Sequence, residues 1–298
     1  LILSGIGIFL ISGKYQVLDK SIKVIILILT LTTLIALVFA IGKFGLQLNG
    51  SKLAVEIWNK KGVLFMIALT GWMPSAIDIS VWSSIWTVEK RKISLQKPSM
   101  KQVLFDFNLG YIGTSFISLS FLVLGALILF GSETVLSSNG GVFAGQFIGI
   151  YSKSIGSWSV YIVALAALTT MFSTTLTCVD AFSRVLSRSF RKLWNRDGSE
   201  SDREEKRDYL FWMMVVIVGA VLLLSFLKGT MGFMVDLATT LSFLTAPILA
   251  AFNFKVITGP DIKKEDRIPR WLHLLSILGM VFLLSFSMIF LYFRFFSF

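Results

Sequence analysis

The stretch Thr-Gly-Trp-Met-Pro-Ser-Ala-Ile-Asp-Ile, residues 70–79, lies inside an apolar run that extends from 62 to 88 and contains no other charged residue. A run of this length can cross a bilayer, which places Met73, Pro74 and Asp78 near its mid-depth. Pro74 lacks a backbone N–H and clashes with the preceding helical turn, so we expect the helix to kink or unwind there. An unwound segment frees carbonyl groups, which lipid cannot satisfy but a bound cation can.

Two side chains of this stretch suit a metal ion. Met73 offers a soft thioether beside the freed carbonyls, a combination that favours transition metals over Mg²⁺ or Ca²⁺. Asp78 is a carboxylate at membrane depth, which is costly and therefore indicates a function. A structural alternative stays open for Met73 and Pro74, because kinked helices and packed methionines are common in membrane spans.

The composition indicates a membrane protein. Apolar types make up 55% of 298 residues and charged types 15%, against roughly 25% charged residues in soluble domains. The net charge of +11 does not point to nucleic acid, because the basic residues cluster in loops between apolar runs. The single Cys178 and the single His273 exclude an internal disulfide and a histidine-rich zinc site within this chain. No arrangement of catalytic residues occurs, so neither an enzyme nor a cofactor is predicted.

The apolar runs predict an all-α membrane protein with an N-terminal stub and seven transmembrane helices. The stub, 1–12, is too short to span, so we interpret the sequence as part of a longer chain. A short amphipathic surface helix is expected around 53–58, and a polar, solvated loop over 195–208. Most of the 28 Lys and Arg residues lie in alternate loops, which places those loops in the cytoplasm. The predicted spans are 24–41, 62–88, 107–130, 158–179, 209–227, 231–254 and 271–293.

A second polar segment lies in the span 231–254. Asp236 and Thr239 precede Pro247, and we predict that the helix is interrupted there. Asp236 is a candidate relay of charge or protons. The alternative is that it lies close to the outer end of the span and is simply hydrated.

Polar residues in and after the span 158–179 have simpler explanations. The hydroxyl-rich row 169–177 could line a water-filled path, but hydroxyls that bond back to helical carbonyls are the commoner case. We expect Asp180 to be a solvated charge at the cytoplasmic end rather than a proton relay, and His273 to be structural.

Several stretches resemble the Nramp family of divalent metal transporters. The family's sixth span carries Met-Pro-His-Asn at an unwound centre, matched here by residues 73–76, and Thr70 falls where an alanine carbonyl helps to bind metal. Residues 172–183 are similar to the family's eighth-span block, and residues 245–249 to its tenth-span Leu-Pro-Phe-Ala-Leu. In that register Thr239 takes the place of a glutamine that can reach the ion.

This resemblance implies a LeuT-like fold: two inverted five-span repeats with the ion at mid-membrane between broken helices. Residues 1–45 would end the first repeat, and 54–298 would form the second repeat plus a last helix, within one transmembrane domain. The Met73 sulfur and the Thr70 carbonyl would be metal ligands. The implied function is proton-coupled transport of Mn²⁺ or Fe²⁺ across a bacterial inner membrane. The partners would be the lipid bilayer, the ion, protons and the preceding spans of the same protein, which carry the family's Asp-Pro-Gly-Asn motif.

The stretch also departs from the family pattern. Ser75 and Ala76 replace the His-Asn pair, whose histidine is tied to proton-linked transport, and Asp78 has no usual counterpart. Asp78 could therefore supply a compensating charge. The alternatives are a magnesium carrier, an amino-acid or amine carrier of the same fold, or a non-transporting membrane sensor that signals through the loop 195–208.

The predicted orientation can be tested with single cysteines in a full-length protein from which the native cysteines, Cys178 among them, have been removed. Ser199→Cys and Lys264→Cys should resist an impermeant thiol reagent in intact cells, because both loops are assigned to the cytoplasm. Lys153→Cys, in a loop assigned to the outside, is the positive control. Labelling of the first two from outside would invert the topology.

Overall fold

A computed structural model of the chain describes residues 5–7, 15–45, 62–63, 65–66, 69–70, 75–93, 99–129, 137, 139–194, 202–226, 231–260, 262 and 267–295. All regular secondary structure within these ranges is helical, which confirms the predicted all-α class. The longer helices are α1 (Tyr15–Phe44), α2 (Ile79–Ile93), α3 (Met100–Leu129), α4 (Gly140–Ile155), α5 (Ser159–Leu193), α6 (Asp202–Phe226), α7 (Met231–Ile257) and α8 (Arg270–Phe295).

Within the described ranges, six helical segments are long and apolar enough to cross a membrane. They coincide with six of the predicted spans, and apolar side chains such as Phe39 and Phe252 remain exposed along them, as surfaces that face lipid require. In the remaining predicted span, 62–88, described helical residues lie on both sides of a non-helical stretch at 75–78. The surface helix predicted around 53–58 lies outside the described residues. The six segments are Ile26–Lys43, Met100–Leu129, Ser159–Leu193, Arg203–Phe226, Met231–Ile257 and Arg270–Tyr292.

The chain forms two compact units. The first comprises residues 1–46 and 119–231, and so contains α1, the end of α3, α4, α5 and α6. Its core includes Ala36 and Ala40 of α1, whose small side chains allow neighbouring helices to approach closely. Tyr151 of α4 is completely buried in this core, and its hydroxyl shares a hydrogen bond of 3.0 Å with Thr33 of α1. Helix α4 is thereby held against α1.

Both ends of α4 follow from the local sequence. The Asn139 side chain accepts hydrogen bonds from the backbone N–H groups of Gly141 at 3.0 Å and Val142 at 3.3 Å, which caps the start of the helix. At the other end Gly156 has a φ of 118°, a conformation that side chains disfavour. The Lys43 ammonium donates to the Lys153 carbonyl at 3.1 Å, which ties the ends of α1 and α4 together. In the topology predicted from the sequence, both lysines lie on the outer side of the membrane.

Helix α6 begins earlier than the sequence suggested. Residues 202–208, predicted as loop, are helical, so that part of the prediction is wrong. Acidic residues at 202, 204 and 205 are favourable at a helix N-terminus, where they face the positive end of the helix dipole. Arg188 of α5 also lies 3.8 Å from Glu205, an ion pair that supports the first turns of α6.

The second unit comprises residues 47–118 and 232–298, with the residues before the helix break, α2, the first part of α3, α7 and α8. Phe243 of α7 and Phe290 of α8 form its buried core, against which Val63 packs. The interruption predicted at Asp236 and Pro247 is wrong, because α7 runs through both as one helix. Membrane helices tolerate proline within their spans, and near Pro247 the Thr245 hydroxyl donates to the carbonyls at 241 and 242.

These units are defined by packing, whereas the predicted division at 45 and 54 concerns inverted repeats in the sequence. The two divisions describe different properties of the chain. The repeat boundaries therefore remain a prediction.

Candidate ion site at the broken helix

The run 62–88 is helical, then non-helical, then helical again. The described residues at 62–63, 65–66 and 69–70 are helical, Ser75 and Ala76 belong to no helix, and α2 begins at Ile79 after a turn at 77–78. Thr70 therefore lies on the helical side of the interruption, where it is exposed. Met73 and Pro74 lie outside the described residues, so their roles as ligand and helix breaker remain predictions.

The chain re-enters the helix through a tight turn. The N–H of Ile79 donates to the Ala76 carbonyl at 3.2 Å, that of Ser80 to Ile77 at 3.1 Å, and that of Val81 to Asp78 at 2.9 Å. This i to i+3 spacing is typical of the 3₁₀ turns that begin many helices. Asp78 consequently lies in the turn that immediately precedes α2.

Asp78 has an unsatisfied carboxyl group. Its Oδ1 atom is shielded from solvent and has no hydrogen-bond partner among the described residues. The positive end of the α2 dipole offers this oxygen partial stabilisation, but a buried acceptor without a partner remains costly. The group can lower that cost by taking up a proton or by facing a bound cation.

Thr239 and Asp236 lie together on α7. The Thr239 hydroxyl is buried and donates to the backbone carbonyls of Val235 at 2.8 Å and Asp236 at 3.1 Å, so only its oxygen lone pairs remain for an ion. Asp236 is exposed, which agrees with its interpretation as a hydrated charge. Within the described part of the chain no hydrogen bond joins either residue to Asp78.

Three hydroxyls of the row on α5 bond back to their own helix, whereas the buried Thr170 hydroxyl has no partner among the described residues. Thr169 donates to the carbonyl at 165 at 2.9 Å, Thr174 to that at 170 at 2.8 Å, and Thr175 to that at 171 at 2.8 Å. These bonds support the structural interpretation over a water-filled path. His273 has a structural contact as well, because its ring lies 4.9 Å from that of Phe254.

Asp180 is not the solvated charge that the sequence suggested. It is buried, with 7% of its surface exposed, and accepts hydrogen bonds from the Arg184 Nε at 2.9 Å and the Tyr209 hydroxyl at 2.8 Å. The Arg184 guanidinium also lies over the Tyr209 ring at 4.9 Å. The i, i+4 spacing of Asp180 and Arg184 was a usable signal, since such pairs meet on a helix face. Nothing in the sequence indicated that the Tyr209 hydroxyl of α6 would donate to Asp180.

The fold and this geometry define a multi-pass helical membrane protein in which one span is interrupted beside a buried, unsatisfied carboxylate. The family profile described as "Nramp: Natural resistance-associated macrophage protein-like" matches residues 1–293. The chain therefore belongs to the Nramp family, which comprises metal-ion transporters.

One curated relative adds to this match. The chain is 33% identical over 285 residues to an uncharacterized protein of Pasteurella multocida (strain Pm70). The aligned region covers 95% of this chain and 63% of the relative, so the chain spans less than two thirds of the relative's length. No solved structure matches the chain significantly.

The buried Asp180 cluster predicts a loss of stability in Asp180→Asn. The substitution removes the charge that pairs with Arg184 and should cost about 1–3 kcal/mol, because hydrogen bonds to buried charged groups are the strong ones. Asp208→Asn is the matched control, because Asp208 lies 3.8 Å from an Arg207 side chain that is 70% exposed and such pairs contribute about 0–1 kcal/mol. Thermal unfolding of the purified variants measures the difference, and equal melting temperatures would contradict the role given to Asp180.

Proposed function

We propose that the full-length protein is a secondary transporter of Mn²⁺ or Fe²⁺ in a bacterial inner membrane, coupled to protons. Family membership supports the general class, transport of divalent metal ions. The observation that carries the proposal in this chain is the buried Oδ1 of Asp78, which lacks a partner at the start of α2. A carboxyl group in that state is suited to exchange a proton or to balance a cation.

The proposed metal ligands come from the first side of the break. Helical structure is present at Thr70 and absent at Ser75. In the register of the family resemblance the Thr70 carbonyl is a metal ligand, and the Met73 sulfur would add a soft donor. Thioether ligands favour transition metals over the hard ions Mg²⁺ and Ca²⁺.

Asp78 is proposed to carry the charge that couples metal to protons. The side chains of Ser75 and Ala76 carry no titratable group, whereas Asp78 carries a carboxyl group that can exchange a proton. A protonated Asp78 would be neutral while the site is empty. A divalent ion that arrives nearby favours the ionised form, so metal binding would release the proton. Metal flux and proton flux would then depend on the same side chain.

The metal function is tested by Met73→Ala in the full-length protein reconstituted into liposomes. Loss of the thioether should weaken uptake of Mn²⁺ or Fe²⁺ and allow Mg²⁺ and Ca²⁺ to compete more strongly, because the remaining oxygen donors suit hard cations. Met66→Ala is the matched control, since Met66 belongs to the same run and is 49% exposed. Unchanged selectivity in Met73→Ala would remove Met73 from the ligand set, and uptake of Mg²⁺ alone by the unmodified protein would contradict the choice of ion.

The coupling function is tested by Asp78→Asn in the same liposomes. If Asp78 relays protons, metal binding should stay nearly intact while metal flux loses its dependence on the pH gradient. If it balances the charge of the ion, metal affinity should fall and coupling should persist. Asp106→Asn is the control, because that carboxylate is exposed near the start of α3. An Asp78→Asn protein with normal affinity and normal coupling would show that Asp78 takes no part in transport.

A further inference from the structure

A chain of two side-chain hydrogen bonds leads from α7 to the turn that holds Asp78. The Asn253 amide nitrogen donates to the Ser80 hydroxyl oxygen at 2.8 Å. The Ser80 hydroxyl in turn donates to the Ile77 carbonyl at 2.6 Å. The same carbonyl also accepts the backbone N–H of Ser80 at 3.1 Å. All three residues belong to the second packing unit, so this chain of bonds lies within one compact body.

The last acceptor in this chain belongs to the peptide group that precedes Asp78. The Ile77 carbonyl and the Asp78 N–H share one rigid peptide plane, so a bond that fixes the carbonyl also fixes the backbone at Asp78. Ser80 has a single hydroxyl proton and gives it to Ile77. The bond from Asn253 holds the Ser80 oxygen in place and polarises its O–H group, which strengthens the bond to Ile77.

The position of Asn253 makes this bond specific rather than part of general packing. Asn253 lies six residues after Pro247 on an exposed face of α7, and α2 and α7 make few other contacts. By comparison, Ser84 on α2 donates only to the carbonyl at 81 of its own helix, at 2.8 Å. Of these two hydroxyls, only that of Ser80 both bonds to the turn at the start of α2 and accepts a bond from another helix.

We propose that Asn253 is a positioning residue for Asp78, which acts through Ser80 and the Ile77 carbonyl to set the direction of the carboxyl group. This inference rests on the proposed function of Asp78 in transport. It adds a contribution from α7 that none of the candidates on that helix, Asp236, Thr239 and Pro247, had suggested.

The test is a double-mutant cycle in the full-length protein in liposomes. Ser80→Ala and Asn253→Leu should each raise the apparent KM for Mn²⁺ about fivefold, the effect expected of one ordinary hydrogen bond, and leave Vmax within about twofold. The KM of the double variant should be no higher than that of the more severely affected single variant, because both substitutions break the same chain of bonds. Ser80→Thr keeps the hydroxyl and should restore the KM. Ser84→Ala is the matched control and should leave the KM unchanged.

A second measurement does not depend on transport. In a background without native cysteines, the labelling rate of Asp78→Cys by a small thiol reagent reports where this side chain points. Asn253→Leu should change that rate about fivefold, with no change for Ser84→Ala. If the unmodified protein takes up neither Mn²⁺ nor Fe²⁺ and the rate still changes, the positioning role stands and the proposed function fails. Additive KM effects, or unchanged KM and unchanged labelling in a protein that does transport, would overturn the positioning role.

Discussion

The central constraint on this protein is that a helix inside a bilayer cannot end without a replacement for its lost hydrogen bonds. Lipid offers neither donors nor acceptors, so the carbonyls at the end of one helical piece and the N–H groups at the start of the next need partners from the protein or a ligand. The break between Thr70 and α2 creates both kinds of group. Ser80 provides a protein partner for the Ile77 carbonyl.

Asp180 and Asp78 show how different the hydrogen bonding of two carboxylates in one protein can be. Asp180 receives bonds from Arg184 and Tyr209, so its charge is balanced and its lone pairs are used. Such a group stabilises one arrangement of α5 and α6. Asp78 has a buried oxygen without a partner. Its energy therefore depends on whether a proton or a cation is present, which is the property that a coupled transporter requires.

The sequence predicted the features that depend on local composition and periodicity. Span positions followed from apolar runs. Features that depend on a partner distant in the chain were missed, such as the bond from Tyr209 to Asp180 across 29 positions and that from Asn253 to Ser80 across 173. The helix break predicted at Pro247 was wrong for another reason. Whether a proline ends a helix or only bends it depends on neighbouring groups that its sequence context does not specify.

The departures from the family pattern acquire a physical meaning at the start of α2. The family's histidine would stand at position 75, within the non-helical segment, whereas Asp78 stands three residues later in the turn that precedes α2. A carboxylate there lies near the positive end of the α2 dipole, which is favourable, while its buried Oδ1 lacks a hydrogen-bond partner among the described residues. A histidine at the same place would be cationic when protonated and would be disfavoured by both the dipole and the metal. Under the proposed function, replacing the histidine by a carboxyl group one turn further on would therefore change the charge of the loaded site, because an ionised Asp78 would add a negative charge beside the ion.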